Sequence, residues 1–339
     1  ITQICVTLCD RPQRAMDYFG DGAGLGVSLT YFIEEEPLGT AGSVKNCARW
    51  LGGEDFLVVS GDCLCDLDLR RLASFHRERG AAATLALCRG VSPLEFGLVT
   101  TRPDGRVERF VEKPAWGQVV TDLVNTGIYL LSPSVLEEIP EGKPWDFGRD
   151  LFPTLVRAGA PVFGCLLEGY WRDVGDCGSY LDCLCDALSG KVKVDPGLPL
   201  RAPGVWSSAP VPDGVSLIPP CWIGPEVELG KGSLIGPHTI LEQGAWVGER
   251  ALLQRSVLLE GAGAGPRSTL YGAVLCPGSA ARRGAVLNEG AVLGENALAE
   301  EGSQLMEGVK IWPGQAARAG CRLERSVTCG SQKGALRFG

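Results

Sequence analysis

Histidine is nearly absent from this chain: His76 and His238 are the only two in 339 residues. That leaves little room for zinc sets of Cys and His or for a histidine general base. Basic residues are outnumbered, 32 Lys and Arg against 40 Asp and Glu, for a net charge of −8 and a pI near 5. Neither a basic face for nucleic acid nor a polybasic patch for a membrane is indicated. No apolar run approaches the ~20 residues of a membrane span. The opening run ITQICVTL lacks both a secretory signal pattern and an initiating Met. The expectation is a cytoplasmic protein, and a sequence that is a fragment of a longer chain. An acidic protein of this kind that handles phosphates needs metal ions or a few well-placed Lys and Arg.

Cysteine and glycine are plentiful instead, at 14 and 47. The cysteines are scattered over a long chain, which favours free buried thiols in a reducing compartment over a disulfide framework. Residues 1–195 alternate short apolar runs (ICVTL, SLTYFI, FLVVSGD, ATLALC, GIYLL) with amphipathic stretches (SVKNCARWL, LRRLASFHRERG). That alternation predicts an α/β sheet with helices on its faces and sites in loops at the carboxyl ends of strands. The second half divides into sixes. From Leu275 they run LCPGSA, ARRGAV, LNEGAV, LGENAL, AEEGSQ, LMEGVK, IWPGQA, ARAGCR, with a second block in another phase from Ile223. A period of six with an apolar start marks a parallel β-helix, three sixes to a coil, and the fourteen units give between four and five coils. The phase slip between Leu259 and Tyr271 is expected to be a loop leaving the coil. Residues 196–214, rich in Pro, Gly and Ser, read as a linker, residues 215–326 as the β-helix and residues 327–339 as a tail.

Candidate chemistry concentrates in the first half. In FLVVSGDCLCDLDL, Asp62 ends an apolar strand as a single hard carboxylate, which suits Mg²⁺ and substrate phosphates. A calcium loop fails for want of Gly at the sixth place and Glu at the twelfth. Cys63 and Cys65 lack zinc spacing, and Asp68 reads as the N-cap of the next helix. A partner carboxylate is available in GYWRDVGD as Asp173, although an Asp-x-Gly turn is more often structural. EEEPLGTAG (Leu38, Gly39, Thr40, Ala41, Gly42) is a small-residue loop opening a helix; its amides could meet a base or a phosphate, or it could be a plain tight turn. RFVEKP offers Glu112 to sugar hydroxyls and Lys113 to a phosphate, with a solvated ion pair as the plainer reading. NTGIY offers Asn125 and Thr126 beside Gly127.

In this order, LGTAG, strand-GD, EFG, FVEKP, VNTGIY and YW-x-D-x-G resemble the sugar-1-phosphate nucleotidyltransferases, most of all the bacterial mannose-1-phosphate guanylyltransferase-like branch. The likeness covers about residues 1–190, and the repeats resemble the left-handed β-helix that many relatives carry. It implies a Rossmann-like domain that joins a nucleoside triphosphate to a sugar 1-phosphate and releases pyrophosphate. By that resemblance Asp62 and Asp173 hold Mg²⁺, and Lys113 binds the sugar phosphate. Gly97, Glu112, Asn125 and Thr126 bind the sugar phosphate's sugar side, and residues 38–42 line the base and ribose. The sugar-phosphate oxygen is already an anion, so no general base is needed and the scarcity of His fits.

Two departures carry expectations of their own. The family's glycine-rich signature loop G-G-x-G-T-R-L and a later Lys-Pro do not occur in this sequence, so the chain is expected to be weakly active or inactive. The stretch KGALRFG resembles a junction to a phosphomannomutase-like domain found in some relatives. Two rival functions remain at this level. One is β-helix acyl transfer, for which His238 is the only base in the coils; the other is a regulatory or scaffolding subunit. Homo-oligomerisation through the exposed coil ends is expected.

Overall fold

The computed structural model describes residues 1–90 and 92–328; the KGALRFG stretch lies outside them. The chain divides into two compact units, residues 1–61 with 67–171, and residues 62–66 with those from Arg172 onward.

In the first unit β1 (Gln3–Leu8) and β2 (Ser28–Ile33) pair in parallel as a two-stranded sheet of their own, with α1 (Pro12–Phe19) between them in sequence. Next come α2 (Gly39–Asn46), β3 (Phe56–Val59), β4 (Cys63–Cys65), α3 (Leu69–Arg79), β5 (Ala83–Arg89), β6 (Leu98–Thr101), β7 (Val107–Val111) and β8 (Leu123–Leu131). A π-turn over Phe147–Leu151 leads into α4 (Phe152–Arg157), then β9 (Val162–Leu166), β10 (Trp171–Asp173) and α5 (Cys177–Leu188). A six-stranded mixed sheet runs β7-β6-β8-β5-β9, with β3 also antiparallel to β8. β5 lies between β8 and β9, and its first six residues are buried, which explains a strand that reads as a continuous apolar run. Asp68 caps α3 by accepting from the Arg70 N–H, as its position before LRRLASF predicts.

The helix expected over SVKNCARWL begins four residues earlier, at Gly39, and ends at Asn46. Its first turn is fixed by a neighbouring backbone rather than by a side-chain cap. Ala41 and Gly42 N–H both donate to the Trp145 carbonyl, at 2.9 and 3.0 Å. A Cβ on Gly39 (φ +70) would stand 2.7 Å from that same oxygen. Only glycine permits this approach.

In the second unit β4 pairs with β10, and the Val174 N–H donates to the Asp62 carbonyl at 2.7 Å. α5, capped by Asp176, lays Leu181 and Leu188 on Ile240, Val257, Val274 and Val292 of one solenoid sheet. Asp182 pairs with Arg172 and Arg255, and buried Asp186 pairs with Arg172 and Lys191.

The solenoid has three parallel sheets and about seven turns, matching a left-handed β-helix. In each two-residue strand the second side chain points inward. These residues form stacked columns, among them Ile235, Leu253, Leu270, Leu287 and Leu305, and Leu241, Leu258, Leu275, Leu293 and Ile311. There are more turns than the expected four to five, for two reasons. Residues read as a linker supply strands Leu200–Ala202 and Val205–Ser207, the latter in parallel with Cys221–Ile223. The phase slip is not a loop leaving the coil. Strand partners there lie 17 residues apart (Leu252 with Thr269, Val257 with Val274), against 18 further on (Val274 with Val292, Val286 with Gln304). One corner is a residue shorter, turned by Arg255 and Gly272 at φ 47 and 60. Leu287, fully buried in its column, is a sensitive position. Leu287→Ala is expected to cost about 2–5 kcal/mol, read as a fall in the denaturant midpoint.

All thirteen described cysteines are free, as expected, but only Cys47, Cys88, Cys165, Cys183 and Cys221 are buried. His238 shares a 2.8 Å hydrogen bond with Ser189 and is partly buried. Among the described residues no helix is long and apolar enough to cross a membrane.

Candidate active site

The first unit holds a cavity of about 500 Å³ at the carboxyl ends of β1, β2 and β3. Its lining includes Leu8, Glu34, Gly39, Thr40, Gly61, Glu112, Asn125, Tyr129, Asp146 and Gly148. Four of the residues singled out in the sequence meet here: Gly39, Thr40, Glu112 and Asn125. Gly97 stands just behind Glu112, because a Cβ there would lie 2.8 Å from Oε2 of the carboxylate. The remaining candidates of this unit are placed differently. Ala41 and Gly42 are buried against the Trp145 backbone, so their N–H groups are already taken, and Leu38 is not on the lining. Thr126 is buried and donates its hydroxyl to Ala86 O, which makes it a strand-locking residue. Lys113 is exposed, off the lining, and held at φ 41. Such a left-handed lysine is uncommon, and strain of this kind clusters at functional sites.

Glu112 sits where two glycines make room for it. A Cβ on Gly148 would come within 2.6 Å of its Oε2, and one on Gly97 nearly as close. Burial first, and then the charge of Asp146, raise its carboxyl above the usual range, while Lys113 and Arg149 oppose the shift. To accept hydrogen bonds from a ligand's hydroxyls Glu112 must be ionised. Binding through it is therefore complete above the raised pKa and lost as pH falls through it, earlier on acidification than for an ordinary glutamate. The expected result is that a ligand held through Glu112 binds more weakly on mild acidification, a loss that Glu112→Gln removes; titration of binding against pH checks it.

Below Glu112 the floor is aromatic. Tyr129 packs edge-on to Phe152 and tilted to Phe147, with ring centroids 4.8 and 4.9 Å away, and accepts a hydrogen bond from Asn125 Nδ2 at 2.8 Å. On the opposite wall Asp146 begins the π-turn by accepting from the Gly148 and Arg149 N–H groups. Thr40 Oγ1 donates to Asp146 at 2.9 Å and accepts from the Phe147 N–H at 3.0 Å. That pair fixes the LGTAG loop to the WDFGRD loop, which sequence reasoning misses. An Asp two residues before a Gly, after an aromatic, is its available signal.

Glu34 is the other omission, hidden in the acidic run EEEP, which looks like a solvated surface. Its side chain is 7 % exposed. Oε2 accepts from the Leu38 N–H at 3.2 Å, while Oε1 is buried and has no hydrogen-bond partner among the described residues. A buried carboxylate oxygen without a donor is costly, and such exceptions call for a reason.

Asp62 follows Gly61 in the chain and belongs with Asp173 to the second unit, where β4 and β10 pair. Both carboxylates act on one thiol. Cys63 is pushed up to about 12 by burial, by Cys65 and then by the charges of Asp62 and Asp173. In the absence of a metal the thiol is therefore protonated at neutral pH, and the two aspartates bear on the same group. Among the described residues no cluster of three or more His, Cys, Asp or Glu could hold a metal. Two hard carboxylates fit an ion such as Mg²⁺, which takes one or two from protein and the rest from water and phosphates.

A family model described as nucleotidyl transferase matches residues 1–190, and one described as GMPPB C-terminal domain matches residues 217–327. The chain belongs to the nucleotidyl transferase family. It is 33 % identical over 284 residues to a UTP–glucose-1-phosphate uridylyltransferase of Synechocystis, covering 77 % of this chain and 73 % of the relative. With a mannose-1-phosphate guanylyltransferase of Mycobacterium tuberculosis it shares 35 % identity over 225 residues, 66 % of this chain and 61 % of the relative. A mannose-1-phosphate guanyltransferase of Neurospora crassa is 32 % identical over 266 residues, 77 % and 70 % of the two chains. The crystal structure of a putative glucose-1-phosphate thymidylyltransferase from Bacillus anthracis, in complex with a sucrose, superposes with a TM-score of 0.50. It has 22 % identity and covers 57 % of this chain and 79 % of that one, a likeness of fold. The cavity thus belongs to a nucleotidyl transferase domain, and the solenoid to a domain type found after it.

Proposed function

We propose that the protein transfers a guanylyl group from GTP to a hexose 1-phosphate, mannose 1-phosphate by preference, releasing pyrophosphate. Relatives named for guanylyl and for uridylyl transfer are both similar to this chain, so their names leave the base open. The observation that carries the choice is Glu34, which lines the cavity and whose Oε1 is buried without a donor. An ionised carboxylate only accepts hydrogen bonds. Guanine presents two adjacent donors on one edge, N1–H and the N2 amine. Uracil offers one N–H between two carbonyl oxygens, which a carboxylate would repel, and adenine's amine adjoins a bare ring nitrogen.

In this reading the guanine edge meets Glu34, and Gly39 and Thr40 pass beside the base and ribose. Glu112 and Asn125 take the sugar hydroxyls, with Lys113 as a point charge for the sugar phosphate. Asp62 and Asp173 hold Mg²⁺, which when bound offsets the repulsion between two anions and the charge growing on pyrophosphate. The residues otherwise work by position. The phosphate oxygen needs no deprotonation, so holding it in line with the α-phosphate is the main task. Cytoplasmic location and assembly through the solenoid belong to the same proposal.

A matrix of triphosphates against sugar 1-phosphates tests it, with pyrophosphate as the readout. It is run on the 339-residue chain. GTP with mannose 1-phosphate is expected to lead. A preference for UTP or ATP removes the base assignment, and no turnover with any pair removes nucleotidyl transfer.

A further inference from the structure

One solenoid flank carries a second groove, of about 700 Å³, lined by Glu228, Gly230, Trp246, Gly248, Arg250, Pro266, Arg267 and Arg283 among others. Trp246 forms its floor. It is paired in the ladder with Glu228 on one coil and Gly263 on the next. A Cβ on Gly263 would lie 1.8 Å from the indole Cε2, so the ring is laid across a strand where only glycine leaves room.

On the rim above it, two corners depart from the others stacked on the same edge. Each corner on this edge is a turn closed by a bond between residues three apart, such as Ala251 N–H to Gly248 O and Ser268 N–H to Gly265 O. The third residue of each is left-handed. It is glycine at Gly232, Gly284, Gly302 and Gly320, as such turns prefer, but Arg250 and Arg267 stand there at φ 56 and 59. These two occupy successive coils, about 4.8 Å apart as adjacent strands are. Both are exposed, and neither guanidinium has a hydrogen-bond or ion-pair partner among the described residues. Arg283 on the following coil is within 3.8 Å of Glu301.

We propose that this groove is a binding site for a nucleoside diphosphate, its base stacked on Trp246 and its phosphates held by Arg250 and Arg267. Two unpaired guanidiniums on adjacent coils match the forked oxygens of a diphosphate. The half-buried indole of Trp246 on the same lining supplies the stacking platform that any base accepts. Glu228 and Glu249, also on the lining, accept from ribose hydroxyls, which plain inorganic anions lack. The site is separate from the cavity of the first unit and does not depend on the function proposed for that cavity.

Hydrogen exchange and calorimetry on the full 339-residue chain test the site with GDP and with inorganic pyrophosphate as probes. The key variant is R250G/R267G, which places glycine in two left-handed turns and so leaves the fold intact or firmer. GDP is expected to protect the amides of residues 246–250 and 263–267 in the wild type and not in R250G/R267G. Trp246→Leu is expected to weaken GDP at this site about tenfold and pyrophosphate little. No protection of these segments by GDP, or protection that survives R250G/R267G, overturns the site. Pyrophosphate binding as tightly as GDP, with Trp246→Leu silent, overturns the nucleoside as its ligand.

Discussion

Asp62→Asn is expected to slow pyrophosphate release by about three orders of magnitude at saturating Mg²⁺. The substitution keeps the side chain's size and removes one of the two carboxylates that bear on Cys63 where β4 pairs with β10. A single remaining aspartate, Asp173, would hold a divalent ion weakly, and the loss falls on the step in which negative charge grows. Asp173→Asn should behave alike. A second readout is independent of turnover. Cys63 is pushed up to about 12 in part by the charge of Asp62, so neutralising Asp62 should lower the pH at which that thiol titrates. Loss of activity without movement of Cys63 would mean that the asparagine disturbed something other than this carboxylate neighbourhood. Retention of more than a tenth of the wild-type rate would contradict the metal assignment.

Glu34→Gln carries the second large effect, on choice of base rather than on rate alone. The wild-type carboxylate lines the cavity and has one oxygen without a donor, so in the proposed pose a base lacking the N2 amine forfeits one charge-assisted bond. GTP should be preferred over ITP by about 10²-fold in kcat/KM, in line with sites built to hydrogen-bond a missing group. Glutamine places an amide beside Leu38 and loses the charge. The GTP preference should then fall to within about tenfold of ITP and UTP. An unchanged ratio of kcat/KM values in the variant would show that Glu34 does not read the base.

Much of this is legible in the sequence, for reasons that individual residues make plain. Asp68 behaves as the helix cap that its place before LRRLASF implies, because capping is local chemistry. The solenoid's inward columns follow directly from the six-residue spacing. What the sequence hides is long-range. EEEP looks like a charged surface run, and nothing local says that Glu34 turns inward. The WDFGRD loop contributes Asp146 and Gly148 to the cavity from over a hundred residues beyond Thr40. The glycines of LGTAG read as openings for a ligand, yet Gly39 and Gly42 prove to be openings for the backbone of residues 143–145. The phase slip misleads because two missing corner residues, one in each of two successive coils, shift every later position in sequence while leaving the coil unbroken in space.

The most direct measurement of the central claim is a crystal structure of the chain with GDP-mannose and Mg²⁺. Guanine N1 and N2 are predicted within hydrogen-bond distance of the Glu34 carboxylate, with mannose hydroxyls on Glu112 and Asn125. Guanine bound in the first unit's cavity but turned away from Glu34, or a cavity left empty while the ligand occupies only the solenoid groove, would contradict it.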